Sequence, residues 1–285
     1  MRYRPFNRNG VSSSAITLAV PTLRENDAFK LTCAALEHGI NSFEITAGDE
    51  AAAGAMARAI PSVGRRVLVM MLRVERLERA DDLTQMVRAA LHRSGAEYFD
   101  AVVLDEACAP TPRTLDQIEA LKAARLVRMA GLASDSDAAD QATTQPGFDL
   151  LSATYNIRSG WPERNRIKAA ATHGLTVVGR NFHIDPAKAA KAEAAPKGLG
   201  RLFKKASPEI QRAYDFLNRT PGWTAEQISL TYALTEPTLA TVRVETASAP
   251  LLEQLVGAVE RQLPSSVATH IEVAHVATLS DAGAA

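Results

Sequence analysis

Short runs rich in Val, Ile, Leu and Phe alternate along most of this chain with longer Ala-, Arg- and Glu-rich segments whose apolar residues recur at helical spacing. Alternation of this kind commits a chain to successive β-α units around a parallel sheet. Strands are expected at about Ser14 to Val20, Asn41 to Ile45, Arg66 to Arg73, Tyr98 to Leu104, Leu126 to Leu132, Phe148 to Ala153, Leu175 to Arg180 and Leu239 to Val244. Helices are expected between them at about Asn26 to His38, Asp49 to Ile60, Asp81 to Ser94, Thr114 to Ala124, Asp135 to Thr144 and Pro162 to His173. Runs such as Val67-Leu68-Val69-Met70-Met71-Leu72 and Ala101-Val102-Val103-Leu104 are apolar throughout, as required when both faces of a parallel sheet are covered. Eight such strands fit an α/β fold of the closed (β/α)8 barrel type better than an open, doubly wound sheet. No strand is followed by a G-x-G-x-x-G turn, and Gly198-Leu199-Gly200 falls in a Lys-rich segment instead.

Local signals mark the element ends. Asp81 and Asp82 place carboxylates at the positive end of their helix, Thr114 is a candidate cap for the next, and Gly39, Gly95 and Gly174 stand where helices stop. Before the first strand, Tyr3 to Phe6 and Val11 to Ser14 flank Asn7-Arg8-Asn9-Gly10, a hairpin pattern that can plug a barrel floor. After the seventh strand the connection runs about 58 residues, from Asn181 to Thr238. It contains the low-complexity stretch Pro186 to Pro196, with helices expected near Pro208 to Asn218 and Thr224 to Leu234. Residues 1–263 are thus expected to form a single barrel domain, and 264–285 a tail or loosely packed strand.

Composition narrows the function classes. Lys+Arg and Asp+Glu are both 32, so no basic footprint for nucleic acid is present. No apolar run reaches the roughly 18 residues of a membrane span, and the charged N-terminus leads into no apolar leader. Cys33 and Cys108 have no ligand-type or disulfide-framework spacing. The expectation is a cytoplasmic protein acting on a small molecule, with no membrane or nucleic-acid partner and no metal.

Several segments resemble one family in order and spacing. They are the opening Arg2 to Ser14, then Ala34-Ala35-Leu36-Glu37-His38-Gly39-Ile40-Asn41-Ser42-Phe43, then Leu91 to Leu104 with Ser94-Gly95-Ala96-Glu97-Tyr98-Phe99-Asp100 at its centre. Val127-Arg128-Met129-Ala130-Gly131-Leu132, Phe148-Asp149-Leu150-Leu151 and Tyr155-Asn156 follow. On these residues the chain resembles the aldo-keto reductases over about residues 2 to 263. The resemblance implies a (β/α)8 barrel of aldo-keto reductase type with an N-terminal hairpin. It implies NADPH bound at the C-terminal mouth and hydride transfer to a carbonyl, with an Asp, Tyr, Lys and His tetrad of which the Tyr donates a proton.

All four tetrad positions depart. The aspartate position holds Glu44; the chain has no Tyr between Tyr3 and Tyr98; the lysine position holds Arg73, or Leu72 in a register shifted by one; the histidine position holds Asp105. Acid-base catalysis is worth about 10² to 10⁴-fold and such groups act as a unit, so loss of the proton donor disables the usual reaction. The positions that the resemblance assigns to the cofactor, NADP or NAD, are Ser134 and Ser152 for the carboxamide, Arg180 where an aromatic stacks, and Arg243 and Ser248 near the adenosine phosphate. Glu245 lies in that last segment, and a carboxylate about 4 Å from a phosphate is repelled by roughly 4 kcal/mol per charge pair at a surface-like dielectric.

The strand ends collect Glu44, Arg73, Asp105, Glu106, Ser134, Asp135, Asn156, Arg158, Arg180, Asn181, His183 and Glu245 at the mouth. One reading is a self-neutralising ion-pair network that fills the old site. Another is a pocket for a small anionic ligand, with Arg73 and Arg180 as forks. The leading expectation is therefore a family member that has lost NADPH-dependent carbonyl reduction. The alternative is an oxidoreductase with displaced groups, Tyr155 replacing the missing tyrosine; a third is acid-base chemistry at Glu44 and Asp105 without nicotinamide. The basic run Lys188, Lys191, Lys197, Arg201, Lys204 and Lys205 reads as a solvated face or a phosphate contact.

Overall fold

In the computed structural model, residues 1–6, 10–77, 82–108, 111–144, 146–183 and 214–282 are described. Asn7 to Asn9, Asp81, the basic run in residues 188–205 and most of the helix expected over 208–218 lie outside them.

An antiparallel hairpin, β1 (Tyr3–Pro5) and β2 (Ser12–Ser14), precedes a closed parallel barrel. The barrel strands are β3 (Ile16–Ala19), β4 (Ser42–Thr46), β5 (Val69–Val74), β6 (Phe99–Asp105), β7 (Val127–Ala133), β8 (Leu150–Thr154), β9 (Thr176–Arg180) and β10 (Leu239–Glu245). They pair in the order β10-β3-β4-β5-β6-β7-β8-β9, and β10 closes the ring on both β9 and β3. Helices α1 (Glu25–Glu37), α2 (Glu50–Val63), α3 (Asp82–Ser94), α4 (Pro112–Ala123), α5 (Asp137–Thr144), α6 (Trp161–Thr172), α7 (Ala225–Ala233), α8 (Ala249–Val259) and α9 (Ser265–Ala282) account for the described helical residues. The expected (β/α)8 barrel and hairpin are therefore present.

Strand alternation builds two separate apolar layers. Ile16, Leu18, Phe43, Ile45, Met70, Leu72, Val102 and Leu104 pack outward against the helices. Val69, Met71, Ala101, Val103, Met129, Leu150 and Val178 fill the barrel interior, where Phe6 at the end of the hairpin joins them with 1% exposure. The hairpin thus plugs the floor. Deeper polarity is self-satisfied: Thr17 Oγ1 lies 2.7 Å from Ser42 Oγ and 2.9 Å from Thr241 Oγ1.

Helix stops follow the glycine signal, with φ of +79°, +64° and +86° at Gly39, Gly95 and Gly174, a region that side chains bearing a Cβ disfavour. The cap of α4 differs from expectation. Thr111, not Thr114, is the N-cap, accepting from Thr114 N, because Pro112 takes the first helical turn. Residues 215–218 form a 3₁₀ turn rather than the end of an α-helix.

The end of the chain also corrects an expectation. Ser265–Ala282 is a helix, not a loose strand, and Val267, Ile271 and Ala274 are buried with the outer core. The 3.6-residue period was there; the Val- and Thr-rich composition obscured it. Arg164 Nη2 stands 3.6 Å from Glu272, and His270 stacks on Phe216 at 5.4 Å between ring centroids.

At the N-terminal face of the barrel, Asp100 is 1% exposed and accepts from Arg65 Nη2 at 2.8 Å, Met70 N at 2.9 Å and Arg128 Nη1 at 3.0 Å. Both guanidiniums lie over the Tyr98 ring, at 3.9 and 3.8 Å from its centroid. The Tyr98-Phe99-Asp100 segment therefore ties β5, β6 and β7 together, which is a stability role for that face.

Asp100→Asn leaves the buried Arg65 guanidinium without its counter-charge and is expected to destabilise by about 3 to 5 kcal/mol, read as a lower urea midpoint. Ile271→Ala is expected to cost about 2 to 5 kcal/mol by the same measurement, whereas a mobile tail would leave the midpoint unchanged.

Candidate functional site

Because Ser42, Met71, Val103, Leu150, Val178 and Thr241 face the barrel interior, the residues two positions further along each strand share that face. They are Glu44, Arg73, Asp105, Ser152, Arg180 and Arg243. Leu72 belongs to the outer layer, so of the two residues Arg73 is the one on the inner face.

Glu44 is 2% exposed and lies between two guanidiniums. Arg243 Nε donates to Glu44 Oε1 at 2.6 Å, and Arg73 Nη1 is 3.8 Å from the same oxygen. Arg243 reaches across β3 to do this, which is possible only inside the ring. Arg73 Nη2 stands 2.7 Å from Asp105 Oδ1, a close ion pair without hydrogen-bond alignment, and its Nε is 3.9 Å from Glu75 Oε1. Arg243 Nη1 also pairs with Glu245 at 2.9 Å. Burial works against the Arg243 charge, but the carboxylates of Glu44 and then Glu245 outweigh it and raise its pKa above the ordinary value.

A second cluster forms on the opposite side. Arg180 Nη2 donates to Asp135 Oδ2 at 2.7 Å, while Thr154 N and Oγ1 each donate to the same carboxylate at 2.7 Å. Next to it, Glu106 accepts from Ser136 Oγ at 2.5 Å and Ser134 Oγ at 2.8 Å. Those hydroxyls hold the Glu106 carboxyl below its usual range, Ser136 first and Ser134 second. Ser136 was not anticipated; its signal is the Ser-x-Ser pattern before a helix, where each hydroxyl also accepts from a backbone N–H two residues on. Asn156 donates to Asn181 O at 3.0 Å, and Asn181 has the left-handed φ of +52°. His183 Nδ1 lies 3.2 Å from Ser229 Oγ, away from the ion-pair ring.

The chain's five tyrosines can all be placed, and none reaches the mouth. Tyr3 lies on the hairpin, Tyr98 on the N-terminal face, and Tyr155, Tyr214 and Tyr232 in the outer core. Tyr155 stacks on Tyr232, with centroids 5.9 Å apart and planes at 8°, and burial drives its phenol well above the ordinary tyrosine range. Cys108 is buried with its thiol donating to Val74 O at 3.0 Å, and burial pushes that thiol up as well. Among the described residues, no group of three His, Cys, Asp or Glu is arranged to hold a metal, and no helix is long and apolar enough to cross a membrane.

The positions expected to hold a nicotinamide cofactor are mostly committed elsewhere. Ser134 donates to Glu106, Arg180 pairs with Asp135 where a flat aromatic was expected, Arg243 turns inward to Glu44, and Ser248 caps α8 by accepting from Leu251 N. Among the described residues, Ser152 Oγ and Arg180 Nε are buried without a hydrogen-bond partner. As placed, these groups do not fit the family's way of holding the cofactor.

The aldo/keto reductase family model matches residues 16–275, which include all eight barrel strands. The chain belongs to the aldo/keto reductase family. Solved structures agree on the fold: the aldo-keto reductase AKR11C1 from Bacillus halodurans, in its holo form, is 19% identical, with 96% of each chain covered and a TM-score of 0.75. Its apo form gives 0.73 at the same identity and coverage. No curated protein matches the sequence. The family typically binds NAD(P)H.

Ser136→Ala removes the stronger of the two bonds to Glu106 and is expected to raise the Glu106 pKa toward the ordinary carboxylate value, measured by NMR titration of side-chain carboxyl signals. Because the carboxyl is depressed in the fold, its contribution to stability is present above the unfolded pKa and is lost as pH falls through the folded one.

Proposed function

We propose that this barrel does not reduce carbonyls by the family's proton-donor route and instead binds a small carboxylate-bearing molecule at a remodelled mouth. The observation that carries the reading is the Glu44-Arg73-Asp105 network on the inner face of the mouth, at the residues that the sequence resemblance sets against the family's tetrad. A carbonyl receiving hydride needs a proton at its oxygen. Arginine stays protonated through any ordinary pH and cannot supply one.

Two groups remain available for an anionic end. Ser152 Oγ and Arg180 Nε are both buried without partners among the described residues, and they stand on neighbouring strands. Asp135 holds the Arg180 guanidinium by Nη2, which fixes its plane, and the Nε–H has no acceptor among the described residues. Arg73 lies between Glu44 and Asp105 and engages both, so these carboxylates act in the reading as ligand contacts rather than as an acid-base pair. The partner is a small molecule, and the setting is cytoplasmic.

The test is a thermal-shift titration of the purified chain with NADPH, NADP, NADH and NAD, beside NADPH oxidation over an aldehyde panel. A ligand at 100 times its dissociation constant stabilises by about 2.7 kcal/mol, a shift of several degrees. The expected outcome is no shift with any of the four and no aldehyde-dependent oxidation. Turnover of NADPH at ordinary reductase rates would sink the proposal and return the chain to its family's chemistry.

A further inference from the structure

Five buried or nearly buried polar atoms at the mouth lack an aligned hydrogen bond among the described residues: Glu44 Oε2, Arg73 Nε, Asp105 Oδ1, Ser152 Oγ and Arg180 Nε. Leaving such atoms unsatisfied costs about 1 to 3 kcal/mol each, more when charged, so a fold keeps them only if something else completes them. Their positions around the ring are not random. β4, β5 and β6 are consecutive, and β8 and β9 are consecutive; in the closed order β8 is four places from β4 and β9 is four places from β5. In an eight-stranded barrel, four places is the opposite wall.

The two walls differ in chemistry. On the β4-β5-β6 wall, Glu44 and Asp105 flank Arg73, Arg243 reaches Glu44 from β10, and each carboxylate keeps an oxygen without an aligned hydrogen bond among the described residues. The facing β8-β9 wall offers the hydroxyl of Ser152 and the N–H of Arg180. Between them the inner level holds the small Ala133 on β7 and Ala19 on β3, the latter crossed by Arg243 on its way to Glu44. A simple carboxylate completes only the second wall and leaves the acceptor oxygens Glu44 Oε2 and Asp105 Oδ1 of the first without an aligned donor.

We propose that the ligand is a small zwitterion, a free amino acid or a derivative that keeps both ends. Its carboxylate accepts from Arg180 Nε and Ser152 Oγ, and its protonated amine donates to Glu44 Oε2 and Asp105 Oδ1. The inference rests on reading the mouth as a carboxylate-binding site. It adds the opposite pole, and with it a prediction about which carboxylates are refused.

The experiment is calorimetric titration of the full chain with the common amino acids in turn. For any that binds, the corresponding α-hydroxy acid and decarboxylated amine follow. The expected result is that at least one amino acid binds and that both analogues are weaker by about tenfold or more, since each loses a charge-assisted contact. Asp105→Asn, at the more solvent-accessible end of the acceptor wall, is expected to erase the preference for amino over hydroxy acid. Arg180→Lys is expected to weaken both. Equal binding of hydroxy and amino acids would overturn the zwitterion and leave the carboxylate site standing. Absence of binding by every amino acid and hydroxy acid tested would overturn both. An unchanged preference in Asp105→Asn would remove the acceptor wall from the argument, and if that variant does not fold, Arg180→Lys and the analogue series carry the test.

Discussion

Closure of β10 onto β3 is the constraint from which the rest of the molecule follows. Val242 pairs with Ile16 and Val244 with Leu18, joining residues more than two hundred apart in sequence. Once the ring is shut, every second side chain of every strand points into a space too narrow to leave an apolar gap or an isolated charge. At mid-height that space is filled by Val69, Met71, Val103, Leu150 and Val178. At the mouth the same geometry brings carboxylates and guanidiniums together from strands distant in the chain. Pairing there is the condition of burial, because a single buried ion in a low-dielectric interior costs several kcal/mol after relaxation.

The two ends of the barrel treat charge differently. On the N-terminal face, Asp100 accepts from both Arg65 and Arg128 as well as a backbone N–H, and every oxygen of that carboxylate has a donor. This arrangement is complete and needs nothing else. The mouth is incomplete: its ion pairs neutralise one another while individual atoms of Glu44, Arg73, Asp105 and Arg180 keep unmet bonding capacity. Neutrality without saturation sets the mouth apart from the brace at the floor.

Much of the fold was legible because its signals are local. Apolar runs of five to seven residues, capping residues and glycines at helix stops each act over a few positions, so eight strands and most helices could be placed from spacing. The Leu91 to Leu104 segment carried part of the family resemblance, and the two cation-π contacts of Tyr98 and the buried carboxylate of Asp100 supply a physical reason. The terminal helix was misread because Val267, Ile271 and Ala274 carry its periodicity inside a β-branched composition. At the mouth, the residues were nameable but their partners were not. Arg243 and Glu44 are 199 positions apart, and only the register of three adjacent strands decides that they meet. Nor does any pattern in one dimension reveal that Glu106 occupies Ser134 and Ser136, since the hydroxyls and the carboxylate come from two different loops.

Phe6 has a consequence for rates. A barrel stoppered at its floor can be entered only from its other end, so whatever reached the arginines there would leave by the path it came. Uptake and release then share one transition state at the rim. A substitution that widens that opening accelerates both directions equally and leaves the equilibrium constant alone. Substitutions in the ring below change how long a guest stays without changing how fast it arrives. In such a vessel, affinity and access are separable properties, each written in a different layer of side chains.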